Sequence, residues 1–184
     1  MEKIKCDWCK GSELYENYHD QEWGVPVFDD QKQFEFLVLE SAQAGLSWIT
    51  VLKKRENYRI AYDHFDVKKV AKYDDKKVDE LLQNEGIIRN RLKILASINN
   101  AQRFIEIQEQ EGSFCNYLWH FFDGKPQINK WQSMKEIPAK TDLSDLISKD
   151  LKKRGFKFLG STIVYAHLQA TGLINDHIVT CFKY

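Results

Sequence analysis

Leu151-Lys152-Lys153-Arg154-Gly155-Phe156-Lys157-Phe158-Leu159-Gly160-Ser161-Thr162-Ile163-Val164 is the stretch whose reading decides the fold. Just upstream, Leu143, Leu146, Ile147 and Leu151 recur at i, i+3, i+4 and i+8, one face of an amphipathic helix that stops near Gly155. A second helix is expected from Ser161 to Gly172. The segment is therefore a helix, a tight hairpin and a helix. Its second glycine lies just before a helix start, where free backbone amides bind anions and a missing side chain lets a phosphate come close. From Lys149 to Lys157 there are five basic residues and one acidic residue. Such a run suits a DNA backbone, gripped without reading bases. The competing reading is a solvated, lysine-rich helix end with no ligand.

Working outward, helices are expected nearly everywhere, and no strand. Asp29-Asp30 caps a helix ending at Gly45, Ser47 caps one from Trp48 to about Tyr62, and Asp66 starts a short third. Asp74-Asp75 opens a fourth that closes at Asn84-Glu85-Gly86. A long fifth runs from about Ile88 to Glu111, and Ser113 caps a sixth through Phe122. Residues 123–140 hold two of the three prolines and read as a loop, and Asn175 or Asp176 is placed as the cap of a last helix. With 184 residues, no internal repeat and no linker, the expectation is one all-α domain spanning 1–184.

Composition narrows the classes. Apolar residues make up 43% and charged residues 29%, which excludes a disordered chain. Apolar runs reach only four residues, as at Phe36-Leu37-Val38-Leu39, against the ~20 that a spanning helix needs. No secretory signal opens the chain and there are only four cysteines, so a cytoplasmic location with thiols kept reduced is expected. The net charge is zero but uneven: −6 over residues 1–50 and +6 over the remainder. Such asymmetry leaves room for a local anion-binding face.

Two constellations carry chemistry. His177 and Cys181, four apart, would share one face of a helix and could share a tetrahedral ion. Cys6-Asp7-Trp8-Cys9 has a common zinc spacing, or reads as a redox pair, although no βαβ pattern follows it. Glu40 falls on an apolar stripe with Phe36, Leu37 and Ala44, where a carboxylate must find a partner or protonate. Around it in sequence stand Trp8, Tyr15, Tyr18, Trp23 and Trp48, a kind of set that is more often core than the stacking wall of a pocket.

The segments Tyr18–Pro26, Gln43–Tyr58, Lys152–Phe158 and Asn175–His177, in order and spanning Cys6 to Cys181, resemble the bacterial 3-methyladenine DNA glycosylase I family. The resemblance implies an all-α, helix-hairpin-helix DNA glycosylase fold with a structural zinc joining the two termini. It implies excision of 3-methyladenine from alkylated double-stranded DNA by a chain expected to be monomeric. By the same resemblance Glu40 contacts the base, Tyr18 and Trp48 line it, and Tyr15 and Trp23 complete the pocket. Lys153, Gly155, Lys157 and Gly160 meet the DNA backbone, and Cys6, His19, His177 and Cys181 hold the zinc. Cys9 is the alternative ligand to Cys6. Asp176, 16 residues after Gly160, is the alternative catalytic carboxylate to Glu40, with a structural role preferred. No lysine stands at Ser161-Thr162-Ile163 for a Schiff base, and no four-cysteine cluster lies near the carboxyl terminus, so the resemblance points to a monofunctional enzyme. A non-catalytic zinc protein that binds DNA, and a redox protein using Cys6 and Cys9, are the competing classes.

Overall fold

In the computed structural model, which describes residues 3–184, Asp29, Asp66, Asp74 and Ser113 open helices where the sequence places them. Ser47, by contrast, precedes its helix without a side-chain bond to the helix amides. Helix α1 spans Glu13–Gln21, α2 Asp30–Gln43 and α3 Trp48–Ala61. Asp29 accepts the Lys32 amide at 2.7 Å, satisfying one of the orphan donors at the start of α2. Helix α4 spans Val67–Val70, α5 Asp75–Gln83, α6 Arg91–Glu111 and α7 Phe114–His120. Asp66, Asp74, Asn90 and Ser113 cap these four in the same way. Helix α8 spans Asp142–Lys153, opened by a reciprocal Thr141–Ser144 capping box, and α9 spans Ser161–Ala170.

Four further expectations are corrected. Glu13–Gln21 is a helix that the pattern left unread, and α6 begins three residues later than Ile88, at the better cap Asn90. The loop over 123–140 contains a strand, β1 (Gln127–Ile128), paired in parallel with β2 (Ile174–Asn175). No helix follows Asp176: residues 176–184 form turns, so Asp176 caps nothing. Its carboxylate, fully buried, accepts from Asn129 and Trp131 on one oxygen and from Tyr165 and Gln169 on the other. Two-residue strands and an irregular tail have no periodicity to read; only tertiary partners define them.

The core is aromatic and aliphatic, running from Phe34 and Phe36 on α2 through Phe104 on α6 and Phe114 on α7 to Leu151 and Leu168. Phe104 and Phe114 stack with centroids 4.2 Å apart. At one end of that core a single side chain ties three helices together. The Arg55 guanidinium on α3 bonds both oxygens of Glu22, just beyond α1, at 2.8 Å, and Glu35 of α2 at 2.8 Å. Bidentate pairs of this kind add geometric definition as well as energy. No helix among the described residues is long and apolar enough to cross a membrane.

Candidate active site and metal cluster

The three helices that Arg55 joins each contribute to a cavity of about 360 Å³. Tyr15 and Tyr18 come from α1, Glu40 and Gln43 from α2, and Trp48 from the first turn of α3. Trp8 and Trp23 close one side. Thr162, Tyr165, Ala166 and Gln169 of α9 add a further wall, and Met134 with Ile137–Ala139 completes the lining. The rings pack edge to face, with Trp8 and Trp23 at 5.1 Å and Trp8 and Tyr15 at 4.9 Å, as their quadrupoles favour. Tyr18 and Trp48 lie 5.5 Å apart, tilted by 48°. All five residues assigned to the pocket from sequence, Glu40, Tyr15, Tyr18, Trp23 and Trp48, meet in this one cavity. The α9 wall was missed, although Thr162, Tyr165, Ala166 and Gln169 recur at i, i+3, i+4 and i+7 directly after the basic hairpin.

Glu40 is the outlier. It is 3% exposed, and burial alone pushes its carboxyl up to about 8. Among the described residues its Oε2 has no hydrogen-bond partner, nor do the indole nitrogens of Trp8 and Trp48. Buried polar atoms are seldom left unpaired, and three around one cavity mark a place built for a polar ligand. Burial and the nearby Glu40 carboxyl also hold the Tyr18 and Tyr15 hydroxyls above their usual range. The cavity therefore offers π faces, one acidic group and neutral phenols, a set that suits a flat, electron-poor ring.

Beside Trp23 sits the second cluster. The ligand atoms of Cys6, His19, His177 and Cys181, all buried, lie within 4.8 Å of one another. Cys181 Sγ is 3.4 Å from His19 Nε2 and 3.5 Å from His177 Nδ1, and Cys6 Sγ is 3.7 Å from His177 Nδ1. Both imidazoles are aimed by their far nitrogens: His177 Nε2 donates to the Trp23 carbonyl, and His19 Nδ1 to the Asp20 carboxylate at 2.7 Å. This is the outer-shell arrangement that orients histidine ligands, and burial lowers both rings' pKa, keeping them neutral for ligation. Cys9 stands apart, its thiol donating to the Cys6 carbonyl at 3.1 Å. The group thus fits a metal, with Cys6 rather than Cys9 in it. Although 177–184 is not helical, the turn at Ile178–Cys181 brings the pair together.

The basic hairpin lies on the surface. Lys153, Lys157 and Gly160 are exposed, and Gly155 takes φ +91°, a conformation that L side chains rarely adopt. The amides of Gly160, Ser161, Thr162 and Ile163 have no partner within the protein among the described residues.

Against known proteins, the sequence profile of the methyladenine glycosylase family matches residues 8–184. The chain belongs to this family. DNA-3-methyladenine glycosylase 1 of Escherichia coli strain K12 is 49% identical over 180 residues, covering 98% of this chain and 96% of that protein. The Haemophilus influenzae DNA-3-methyladenine glycosylase is 46% identical, covering 96% of each. A crystal structure of 3-methyladenine DNA glycosylase I superposes with a TM-score of 0.93 at 53% identity, covering 97% of this chain and 98% of that one. The Staphylococcus aureus glycosylase I, solved to explain 3-methyladenine recognition, gives 0.94 at 38% identity, covering 97% and 95%. The all-α architecture is thus the methyladenine glycosylase fold.

Proposed function

We propose that this chain, acting as one helical domain, removes 3-methyladenine from alkylated double-stranded DNA by hydrolysing its N-glycosidic bond. The observation that carries the reading is the unpartnered, buried Glu40 carboxyl inside an aromatic cavity, in a member of the methyladenine glycosylase family. A base inside a duplex must be flipped out to be reached. The flipped ring stacks against Trp48 and Tyr18, with Tyr15 and Trp23 closing the pocket. In DNA the lesion is cationic, so the ring faces and Glu40 hold it more strongly than a normal adenine. When the bond from C1′ to the base breaks, its electron pair neutralises the base. Water adds hydroxide to C1′ and releases a proton. The positive charge makes the base a fair leaving group, so Glu40 acts chiefly by binding it. Asp176 is not assigned the chemistry, because both its oxygens are engaged by four donors.

The hairpin supplies affinity for the backbone through Lys153, Lys157 and the free amides from Gly160 onward, with Gly155 shaping the turn. Zinc is the ion proposed for Cys6, His19, His177 and Cys181. Four protein ligands leave no open position, so its contribution is to clip the two ends of the chain together. The test is release of bases from methylated duplex, separating 3-methyladenine from 7-methylguanine. Free 3-methyladenine with an intact abasic strand supports the reading, whereas no release by folded, metal-loaded protein sinks it.

A further inference from the structure

Asn100 lies within α6, far in sequence from the hairpin, and is fully buried. Asparagine is a poor helix former, and a buried amide is costly unless its hydrogen bonds are made. Here both of its polar atoms bond one residue of the hairpin, and Oδ1 also accepts from Nδ2 of the neighbouring Asn99 at 3.2 Å. Asn100 Oδ1 accepts the Lys157 amide at 2.8 Å and Nδ2 donates to the Lys157 carbonyl at 2.9 Å, as a neighbouring strand would. Next to it, Asn99 Nδ2 donates to the Gly155 carbonyl at 2.8 Å. The gripped segment needs holding. Gly155 is at φ +91°, and Phe158, bulky and partly exposed, is at φ +56° in the left-handed region. A non-glycine residue stays in such a conformation only where its surroundings over-determine it, and such positions gather at ligand clamps. Immediately beyond come the unpartnered amides at the start of α9.

We propose that Asn100 is a positioning residue for DNA binding: it fixes the Lys157 backbone and so presets the hairpin in the shape that receives a phosphate. The inference rests on the hairpin being the backbone-binding element, as proposed above. Pre-organisation of this kind raises affinity without adding a contact to the ligand. A residue that served only to hold the fold together would act on every ligand alike. Asn100 should instead act on duplex and spare the aromatic cavity.

The test uses the full chain and three measurements: affinity for undamaged duplex across salt concentrations, affinity for free 3-methyladenine, and amide exchange at Lys157 and Val164. For Asn100→Ala, duplex affinity should fall by about tenfold. Free-base affinity should stay within about twofold of the parent on the same argument. The Lys157 amide should lose protection while that of Val164 keeps it. Lys157→Glu is the control. If that control weakens duplex binding and a folded Asn100→Ala does not, the clamp is refuted and the hairpin reading stands. If neither weakens it, the hairpin reading has failed and takes the clamp with it. An equal loss of duplex and free-base affinity would make Asn100 a fold residue and overturn the proposal. Should Asn100→Ala fail to fold, Asn99→Ala decides on the half-exposed neighbour: a smaller loss in the same direction supports the clamp, and no loss overturns it.

Discussion

His177 turns one ring nitrogen to each of the two clusters: Nε2 donates to the Trp23 carbonyl at 3.0 Å, and Nδ1 faces the Cys181 thiol at 3.5 Å. Trp23 in turn lines the cavity that holds Glu40. The Cys/His cluster and the aromatic cavity therefore share a wall, and a change at the cluster reaches the cavity through one hydrogen bond. Gly24 adjoins the same bond. It sits at φ +76°, and a Cβ there would stand 3.1 Å from the His177 ring.

From this follows the first prediction. Elemental analysis should find one zinc per chain. His177→Ala and Cys181→Ala should lose it and lower stability by several kcal/mol, since metal binding to a folded site counts as folding free energy. Cys6→Ala should lose zinc and Cys9→Ala keep it, because only the Cys6 thiol faces the other ligands. Gly24→Ala should weaken both metal retention and 3-methyladenine binding. Zinc bound fully by Cys6→Ala but not by Cys9→Ala would reverse the ligand assignment.

Charge reversal at Lys153 or Lys157 should weaken binding to damaged and undamaged duplex alike. The dependence of log K on log salt should flatten by roughly one unit for each phosphate that the variant no longer neutralises. Affinity for the free base should barely move, since neither lysine lines the cavity. A variant with impaired free-base affinity but parental duplex affinity would show the two surfaces to be exchanged.

The raised pKa of Glu40 has consequences of definite sign. With its carboxyl at about 8 when folded and near 4.5 when unfolded, the protein holds this proton more tightly than the unfolded chain does. The resulting stability is complete below about pH 4.5 and is lost as pH rises through about 8. Thermal melts should therefore show Glu40→Gln gaining on the parent between pH 5 and 9, by up to a few kcal/mol. Binding runs the other way. Holding a cationic base as an ion pair expels the proton, so lesion affinity should rise with pH and level off above about 8. Glu40→Gln should abolish that dependence. A parent profile flat from pH 6 to 8.5 would mean that Glu40 stays neutral with the base bound.

How much of this is legible in sequence depends on the range of the interactions. The caps at Asp29, Asp66, Asp74 and Ser113 are readable because each acts within three residues of its own helix. Glu40 stands out because a carboxylate on an apolar stripe contradicts its neighbours. Asp176 does not: its four donors come from residues 129, 131, 165 and 169, and no local pattern announces them. Asn100 is silent for the same reason, since its partner lies 57 residues away. The turns that join His177 to Cys181 replace the expected helix without altering which atoms converge.

The last prediction separates binding from chemistry within the cavity. Glu40→Gln keeps shape but exchanges an acidic group for a neutral amide, and should cost roughly 1.5–3 kcal/mol of lesion binding. Trp48→Ala removes a stacking face worth ~1–3 kcal/mol per base. Both should slow excision while sparing zinc content and duplex affinity. Because both residues act on one ligand, the double variant should lose less than the sum. Asp176→Asn is the contrast. An amide there turns its own hydrogens toward donors from either Asn129 and Trp131 or Tyr165 and Gln169, so it should cost stability first and rate only through Tyr165 and Gln169 in the cavity wall. Single-turnover excision at saturating substrate, measured on folded protein, distinguishes the roles. A near-parental rate for Glu40→Gln beside a stable but inactive Asp176→Asn would move the chemistry to the α9 side of the pocket.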